Sequence, residues 1–290
     1  MKLTVFTPTY NRRNLIGRTY ESLKNQTCLD FTWLIVDDGS TDDTKSLVDA
    51  WKSEGIVDIR YCYTENGGKM RAHNKGVMLC DTELFMCLDS DDWLTRTAVS
   101  EIYACVPDIS DDTVAGIVAH KGKTETEPLY NVDFPKGTGY STLYGLYLGG
   151  FKGETTLVFK TAVLRDYSFP EIEGEKYVPE DYIYDKIDMK YTLYILPKII
   201  TVCELVESGY TDSLKALKRN NKEAWYLYYE QRAFITPVSL LKLKYLGYYI
   251  VYSRRCFKPL FKGKRISPIW VILGMPFALA LIILGKEELR

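Results

Sequence analysis

Four short apolar, β-branched or aromatic runs, at residues 3–7, 31–36, 56–63 and 84–88, recur through the first hundred residues, separated by helix-length stretches at about 12–24, 42–53 and 70–79. Runs of this length fit buried strands. Strand, helix and strand in succession form a β-α-β unit with a right-handed crossover. The pattern therefore predicts an α/β fold: a mixed, mostly parallel sheet flanked by helices. Ser40-Thr41-Asp42-Asp43 supplies side chains that cap a helix start. Further strands are expected at 114–119, 155–159 and 193–205, and helices at 180–189 and 212–232. Residues 120–150, rich in Gly, Thr and Tyr without periodicity, read as loops or a lid.

The strand ends carry the chemistry. Leu84-Phe85-Met86-Cys87-Leu88 empties into Asp89-Ser90-Asp91-Asp92, three carboxylates in four positions. Two unit charges about 4 Å apart repel by roughly 4 kcal/mol at an effective dielectric near 20, so such a cluster needs a cation or hydrogen-bond donors to offset it. The bland alternative is an acidic turn in which Asp92 caps the next helix. Open α/β sheets bind ligands beyond the carboxyl ends of their strands, which is where this cluster falls. Three more strand-end loops precede it: Thr7-Pro8-Thr9-Tyr10-Asn11-Arg12, with Pro8 expected to stop the strand, then Val36-Asp37-Asp38-Gly39-Ser40, then Glu65-Asn66-Gly67-Gly68-Lys69-Met70-Arg71. Lys69 and Arg71, on or near a helix start, suit a phosphate-bearing ligand. Taken singly, an Asp-Gly-Ser turn is common and a lone Lys is usually a solvated charge. The order of the loops on successive units is the stronger signal.

That order and wording resemble the family-2 glycosyltransferases, enzymes with the GT-A nucleotide-sugar-binding fold. The resemblance rests on Thr7-Pro8-Thr9-Tyr10-Asn11, Val36-Asp37-Asp38-Gly39-Ser40-Thr41-Asp42, Asn66-Gly67-Gly68 with Ala72, Asn74 and Gly76, and Leu88-Asp89-Ser90-Asp91-Asp92. It covers about residues 3–94, is looser to about 205 and is absent after 230. It implies an inverting, metal-dependent transferase, with UDP the usual nucleotide, acting in surface polysaccharide synthesis. Asp38 would contact the base and Asp89 the ribose, while Asp91 would hold Mn²⁺ or Mg²⁺ bridging the diphosphate. Thr7, Pro8, Tyr10, Gly68, Lys69, Arg71, Asn74 and Ser90 complete the expected nucleotide-sugar site. The chemistry of the cation agrees, since both metals favour oxygen ligands and are often held by one or two carboxylates plus phosphate.

The family also needs a carboxylate base in its second half. Pro179-Glu180-Asp181-Tyr182 matches its acidic pair at a helix start, and either Glu180 or Asp181 fits, with Asp181 favoured; Glu171, Glu173 and Glu175 stand in reserve. Both acids also suit a helix N-terminus with no catalytic role. His73 and His120 are the only histidines and read as structural. No G-x-G-x-x-G follows the first strand, which disfavours a dinucleotide dehydrogenase. Seven cysteines without a C-x-x-C pair argue for free thiols in a reducing compartment, and the opening apolar run is too short for a signal peptide.

The net charge of −1 conceals an asymmetry. Residues 231–286 carry ten Lys and Arg and no acid; removing those ten and Arg290 from the 37 basic residues leaves 26, against 36 acidic residues in 1–230. Within this tail an uncharged run of 17 residues, 268–284, has Pro276 at its centre, where a kink is expected. As a helix it would reach about 25 Å, short of a hydrocarbon core of about 30 Å. The expected organisation is a catalytic domain at 1–230 and a helical, membrane-associated tail at 231–290. The expected location is the cytoplasmic face of the cell membrane, with a glycan or lipid-linked acceptor. Nucleic acid is not an expected partner, and an oligomer is left open. The rival readings are a nucleotidyltransferase of similar fold and a non-catalytic membrane-docking scaffold.

Overall fold

The computed structural model describes residues 1–135, 137, 139–204, 214–260 and 265–284. Its strands are β1 (Leu3–Thr9), β2 (Phe31–Asp37), β3 (Asp58–Tyr63), β4 (Leu84–Cys87), β5 (Trp93–Leu94), β6 (Val114–Gly122), β7 (Tyr140–Ser141), β8 (Thr155–Lys160) and β9 (Thr192–Val202). The α-helices are α1 (Ile16–Lys24), α2 (Thr44–Glu54), α3 (Lys69–Leu79), α4 (Ala98–Ala104), α5 (Leu143–Leu148), α6 (Thr161–Arg165), α7 (Asp181–Asp188), α8 (Leu214–Asn220), α9 (Lys222–Ile235), α10 (Leu240–Arg255) and α11 (Pro268–Ile283). The chain divides into two compact units, Met1–Ser168 with Ile183–Glu204, and Phe169–Tyr182 with Leu205–Arg290.

All the strands lie in the first unit and form one sheet in the order β3-β2-β1-β4-β8-β6-β9-β5, with β7 also pairing with β9. The four runs that open the chain form its parallel half, β3-β2-β1-β4. The second half departs from the mostly parallel expectation. There β8 enters between β4 and β6, antiparallel to both, because the chain doubles back through residues 123–154 before forming it. The segment read as loop or lid holds β7 and α5, and the Asp188 carboxylate accepts the Leu143 and Tyr144 amides at the start of α5, at 3.1 and 2.6 Å.

Register puts the ends of the parallel strands along one edge: Thr9 stands opposite Asp37, Asp37 opposite Tyr63, and Phe6 opposite Cys87. Pro8 does not stop β1. The carbonyl of Phe6 faces β4, where it accepts the Leu88 amide at 2.8 Å, so Pro8, two residues on, faces the same side beyond the last β4 pairing. Its missing N–H therefore costs no ladder bond. On one face of this half-sheet, Tyr20 from α1 stacks on Trp51 from α2 at 4.4 Å over fully buried Trp33. On the other face α3 crosses close to β1.

The second unit, described by itself, is helical. The helix expected at 212–232 is two, α8 and α9, separated at Asn221, whose side-chain oxygen accepts the Lys176 and Tyr177 amides at 2.9 and 3.0 Å. Glu175 accepts the first-turn amides of α9 from Glu223 and Ala224 at 2.8 and 2.9 Å, and Lys242 donates to its terminal carbonyls at Ala233 and Phe234, at 2.7 and 3.2 Å. Both helix ends thus satisfy groups that have no partner inside the helix. The core is largely tyrosine, with Tyr229 stacked on Tyr248 at 4.7 Å.

Gly76 sets how closely α3 approaches β1. A Cβ there would stand 2.5 Å from the Phe6 ring, which is fully buried and stacked on Phe85 at 5.2 Å. Gly76→Ala should gain up to about 1 kcal/mol of helix propensity and lose about 1–3 kcal/mol to overpacking. Urea unfolding followed by far-UV circular dichroism is expected to show a lower midpoint at unchanged slope.

Candidate active site

The loops beyond β1, β2, β3 and β4 are tied to one another in sequence along the sheet edge. Asn11, in the left-handed region at φ 52°, donates its amide to Ser40 Oγ at 2.8 Å and accepts the Thr41 amide on Oδ1 at 2.8 Å. This pair joins the first loop to the second. Asp38 joins the second to the third: it is 5% exposed, and its carboxylate accepts the Gly67 amide at 2.7 Å, the Gly68 amide at 2.8 Å and Asn66 Nδ2 at 3.1 Å. Gly68, with φ 96°, delivers its amide there while starting α3, a backbone that other residues adopt only with strain. The third loop meets the fourth through Lys69 and Asp89, 2.7 Å apart. Lys121, at the end of β6, holds Asp92 at 2.8 Å with both side chains largely buried.

These ties divide the acidic cluster. Burial works against a charged Asp89, but Lys69, with Lys121 and Arg12 behind it, more than offsets burial and holds its pKa below the usual carboxylate value. Asp92 moves the other way: burial raises its pKa, Lys121 opposes, and the charges of Asp89 and Asp91 add to the rise. Burial works against a charged Lys121, but Asp92 and Asp89 more than offset it and keep the ammonium protonated. Asp92 is therefore an ion-pair partner and not a cap; the next helix, α4, begins at Ala98, with Thr97 at its cap position. Asp91 is half-buried, and its carboxylate makes no hydrogen bond or ion pair with the described residues. It is the member of the cluster that no cation among the described residues neutralises. No group of three or more His, Cys, Asp or Glu among the described residues could hold a metal. A single open carboxylate is compatible only with a cation such as Mg²⁺ or Mn²⁺ that takes the rest of its oxygens from phosphate and water.

Among the other expected residues, Tyr10 is 48% exposed at the mouth of the first loop. Thr7 is fully buried and its hydroxyl accepts Trp33 Nε1 at 2.9 Å, so its side chain serves the core. Pro8 is buried within β1, Ser90 is buried with its carbonyl accepting Thr19 Oγ1 at 3.3 Å, and Arg71 and Asn74 are half-buried on α3. His73 and His120 are buried against aromatic rings, His73 edge-on to Phe6 and Phe85, and His120 stacked on Phe134 at 3.9 Å.

Glu180 and Asp181 belong to the second unit. There Arg232 donates to Asp181 at 2.8 Å. Dense packing raises the Asp181 pKa and the charge of Glu180 adds to it, while the Arg232 guanidinium and a hydrogen bond from Tyr228 pull it down. Glu175 is engaged in capping α9. Lys121 and Arg12 are the site residues that motif reading passes over. Lys121 lies in the aperiodic segment, and its partner is 29 residues distant. Arg12 stood in the first loop as quoted, without a role.

A model of the family described as glycosyl transferase family 2 matches residues 4–167. Over 129 residues the chain is 30% identical to a poly(ribitol-phosphate) β-N-acetylglucosaminyltransferase, TarP, of Staphylococcus aureus, covering 44% of this chain and 39% of that protein. Over 100 residues it is 38% identical to a teichoic acid poly(glycerol phosphate) polymerase of Staphylococcus epidermidis, covering 34% of this chain and 14% of that one. The chain thus spans well under half the length of these relatives. Among solved structures it resembles S. aureus TarS 1–349 in complex with UDP-GlcNAc, with a TM-score of 0.65 at 19% identity over 97% of this chain and 81% of that one. It also resembles the mannosyltransferase PcManGT of Pyrobaculum calidifontis in complex with GDP-Man and Mn²⁺, with a TM-score of 0.55 at 20% identity over 98% and 74%.

Lys121→Met would leave Asp92 buried without its cation. Removing one partner of a buried pair typically costs about 3–5 kcal/mol. A buried carboxyl with a raised pKa favours the folded state in its protonated form, so the deficit should grow as pH rises through that pKa and shrink on acidification. Chemical denaturation of Lys121→Met, Asp92→Asn and the double variant at pH 5 and pH 8 is expected to show coupling, with the double variant more stable than Lys121→Met alone at pH 8.

Proposed function

The chain belongs to glycosyl transferase family 2, and we propose that it moves a glycosyl group from a nucleotide-diphospho-sugar to an acceptor hydroxyl with inversion at the anomeric carbon. The observation that carries this reading is the acidic cluster at the carboxyl end of β4, where Lys69 and Lys121 neutralise Asp89 and Asp92 and leave Asp91 open. A protein with a purely structural use for the cluster has no reason to exempt its middle carboxylate. UDP as the nucleotide is supported by the likeness to TarS in complex with UDP-GlcNAc. A surface glycan or lipid-linked acceptor is supported by the names of the curated relatives, a teichoic acid poly(glycerol phosphate) polymerase and a poly(ribitol-phosphate) β-N-acetylglucosaminyltransferase.

In the proposed reaction the acceptor oxygen gives its proton to a carboxylate and forms a bond to the anomeric carbon. The bond from that carbon to the donor phosphate breaks, and its electron pair leaves with the nucleoside diphosphate. A divalent cation, held by Asp91 and the diphosphate, would stabilise the charge on the leaving group. Asp38 keeps the glycine turn of the third loop in place, so that the first turn of α3, with Lys69 and Arg71, presents positive charge towards an anion. Tyr10 offers an exposed ring at the rim. Alignment by these tied loops is the main service of the fold, since positioning supplies much of the acceleration in group transfer. The base is proposed to be Asp181 or Glu180. The raised pKa of Asp181 supports the choice, because a base works best with a pKa moved towards the operating pH.

Two experiments test this reading. Calorimetric titration of UDP is expected to show binding that strengthens when Mn²⁺ replaces chelator, and Asp91→Asn is expected to abolish that difference while leaving the unfolding midpoint unchanged. The same Mn²⁺ dependence in the variant would remove Asp91 from the metal role. For the base, Asp181→Asn or Glu180→Gln should lower kcat by about 10²- to 10⁴-fold with little change in donor KM. Near-normal turnover in both would move the role to Glu171 or Glu173, since Glu175 is held at the start of α9.

A further inference from the structure

In the second unit, helix α11 is apolar over its whole length, yet only Val271, Gly274 and Ala278 are buried. A helix apolar on every side normally belongs inside a core or in lipid. Here the opposite face is open, with Ile269 69%, Ile272 59%, Leu279 58% and Ile283 73% exposed. The buried stripe is narrow because α10 and α11 pack backbone to backbone. A Cβ on Gly247 would stand 2.9 Å from Phe277 Cβ, and one on Gly274 would stand 2.6 Å from Leu246 Cβ. Lys242 Nζ, at the start of α10, lies 5.4 Å from the Trp270 ring at the start of α11, so the two helices run side by side in the same direction. Arg265, just before α11, is exposed.

We propose that this open face of α11, with the exposed Arg265 that precedes it, docks on an anionic lipid surface, lying in the headgroup–acyl boundary and not crossing the bilayer. Length and charge choose this occupant. No helix among the described residues is long and apolar enough to cross a membrane. Residues 231–286 hold ten cations and no acid. In a two-fold pair of chains the same surface meets itself, so a second copy would bring like charges together without compensation. Anionic headgroups supply the missing sign, and apolar helices with basic neighbours bind at this depth. The same chemistry fits the anionic inner leaflet of a cell membrane.

Flotation of the full chain with vesicles tests the proposal. Binding to phosphatidylglycerol–phosphatidylcholine vesicles is expected to be at least tenfold tighter than to phosphatidylcholine alone, and to weaken without vanishing at high salt. Ile272→Glu/Leu279→Glu alters exposed positions only, so its unfolding midpoint should be unchanged while vesicle binding falls at least tenfold. Arg265→Glu should weaken binding to the anionic vesicles selectively, a cation being worth about fivefold near such a surface. Three results would overturn the proposal: no flotation with anionic vesicles, undiminished flotation of the double variant, or a lipid-free dimer in sedimentation equilibrium that this variant dissociates.

Discussion

Asp38 is 5% exposed, and its carboxylate accepts hydrogen bonds from the amides of Gly67 and Gly68, 29 and 30 residues away. Leaving such a charge buried without donors would cost far more than the hydrogen bonds return, so the β2 loop is stable only when the glycine turn before α3 closes over it. The same turn starts the helix that carries Lys69, and Lys69 neutralises Asp89 at the end of β4. The edge of the parallel half-sheet is therefore one connected set of ties. A ligand arriving there meets loops whose ordering cost has been met by folding.

Charge compensation in the acidic cluster follows from that connection. Three carboxylates within four residues repel, and among the described residues the fold answers with two ammonium groups, Lys69 and Lys121. The third carboxylate, Asp91, is the one proposed to meet a cation that arrives with the substrate. A diphosphate and a divalent cation together bring charge of both signs, which suits an edge carrying Lys69, Arg71 and an open Asp91.

Much of this was legible in the sequence because it is local. The β-α alternation to about residue 94 identified the parallel strands, and their polar ends identified Asp38, Gly68, Lys69, Asp89 and Asp91 as neighbours on one edge. What escaped depends on contacts between distant segments. Lys121 lies where the strand expected at 114–119 runs on to Gly122, and nothing near it in sequence announces Asp92 as its partner. The reversal of β8 follows from where the chain re-enters the sheet, which residue periodicity does not encode. Thr7 reads as a loop-edge hydroxyl until Trp33 is seen to donate to it in the core. The break at Asn221 reflects two amides 44 and 45 residues away that need an acceptor. In the tail the apolar run was plain, but its packing along α10 depends on Gly247 and Gly274 approaching across the helix pair.

The edge bearing Asp38, Lys69, Asp89 and Asp91 is proposed to bind a nucleotide-sugar and release its nucleoside diphosphate. ³¹P NMR of the full chain incubated with Mn²⁺ and a panel of nucleotide-sugars tests this without assuming an acceptor. At least one donor is expected to be converted to nucleoside diphosphate with no pyrophosphate formed. Pyrophosphate as the product, or no turnover and no line broadening with any donor in the panel, would contradict it.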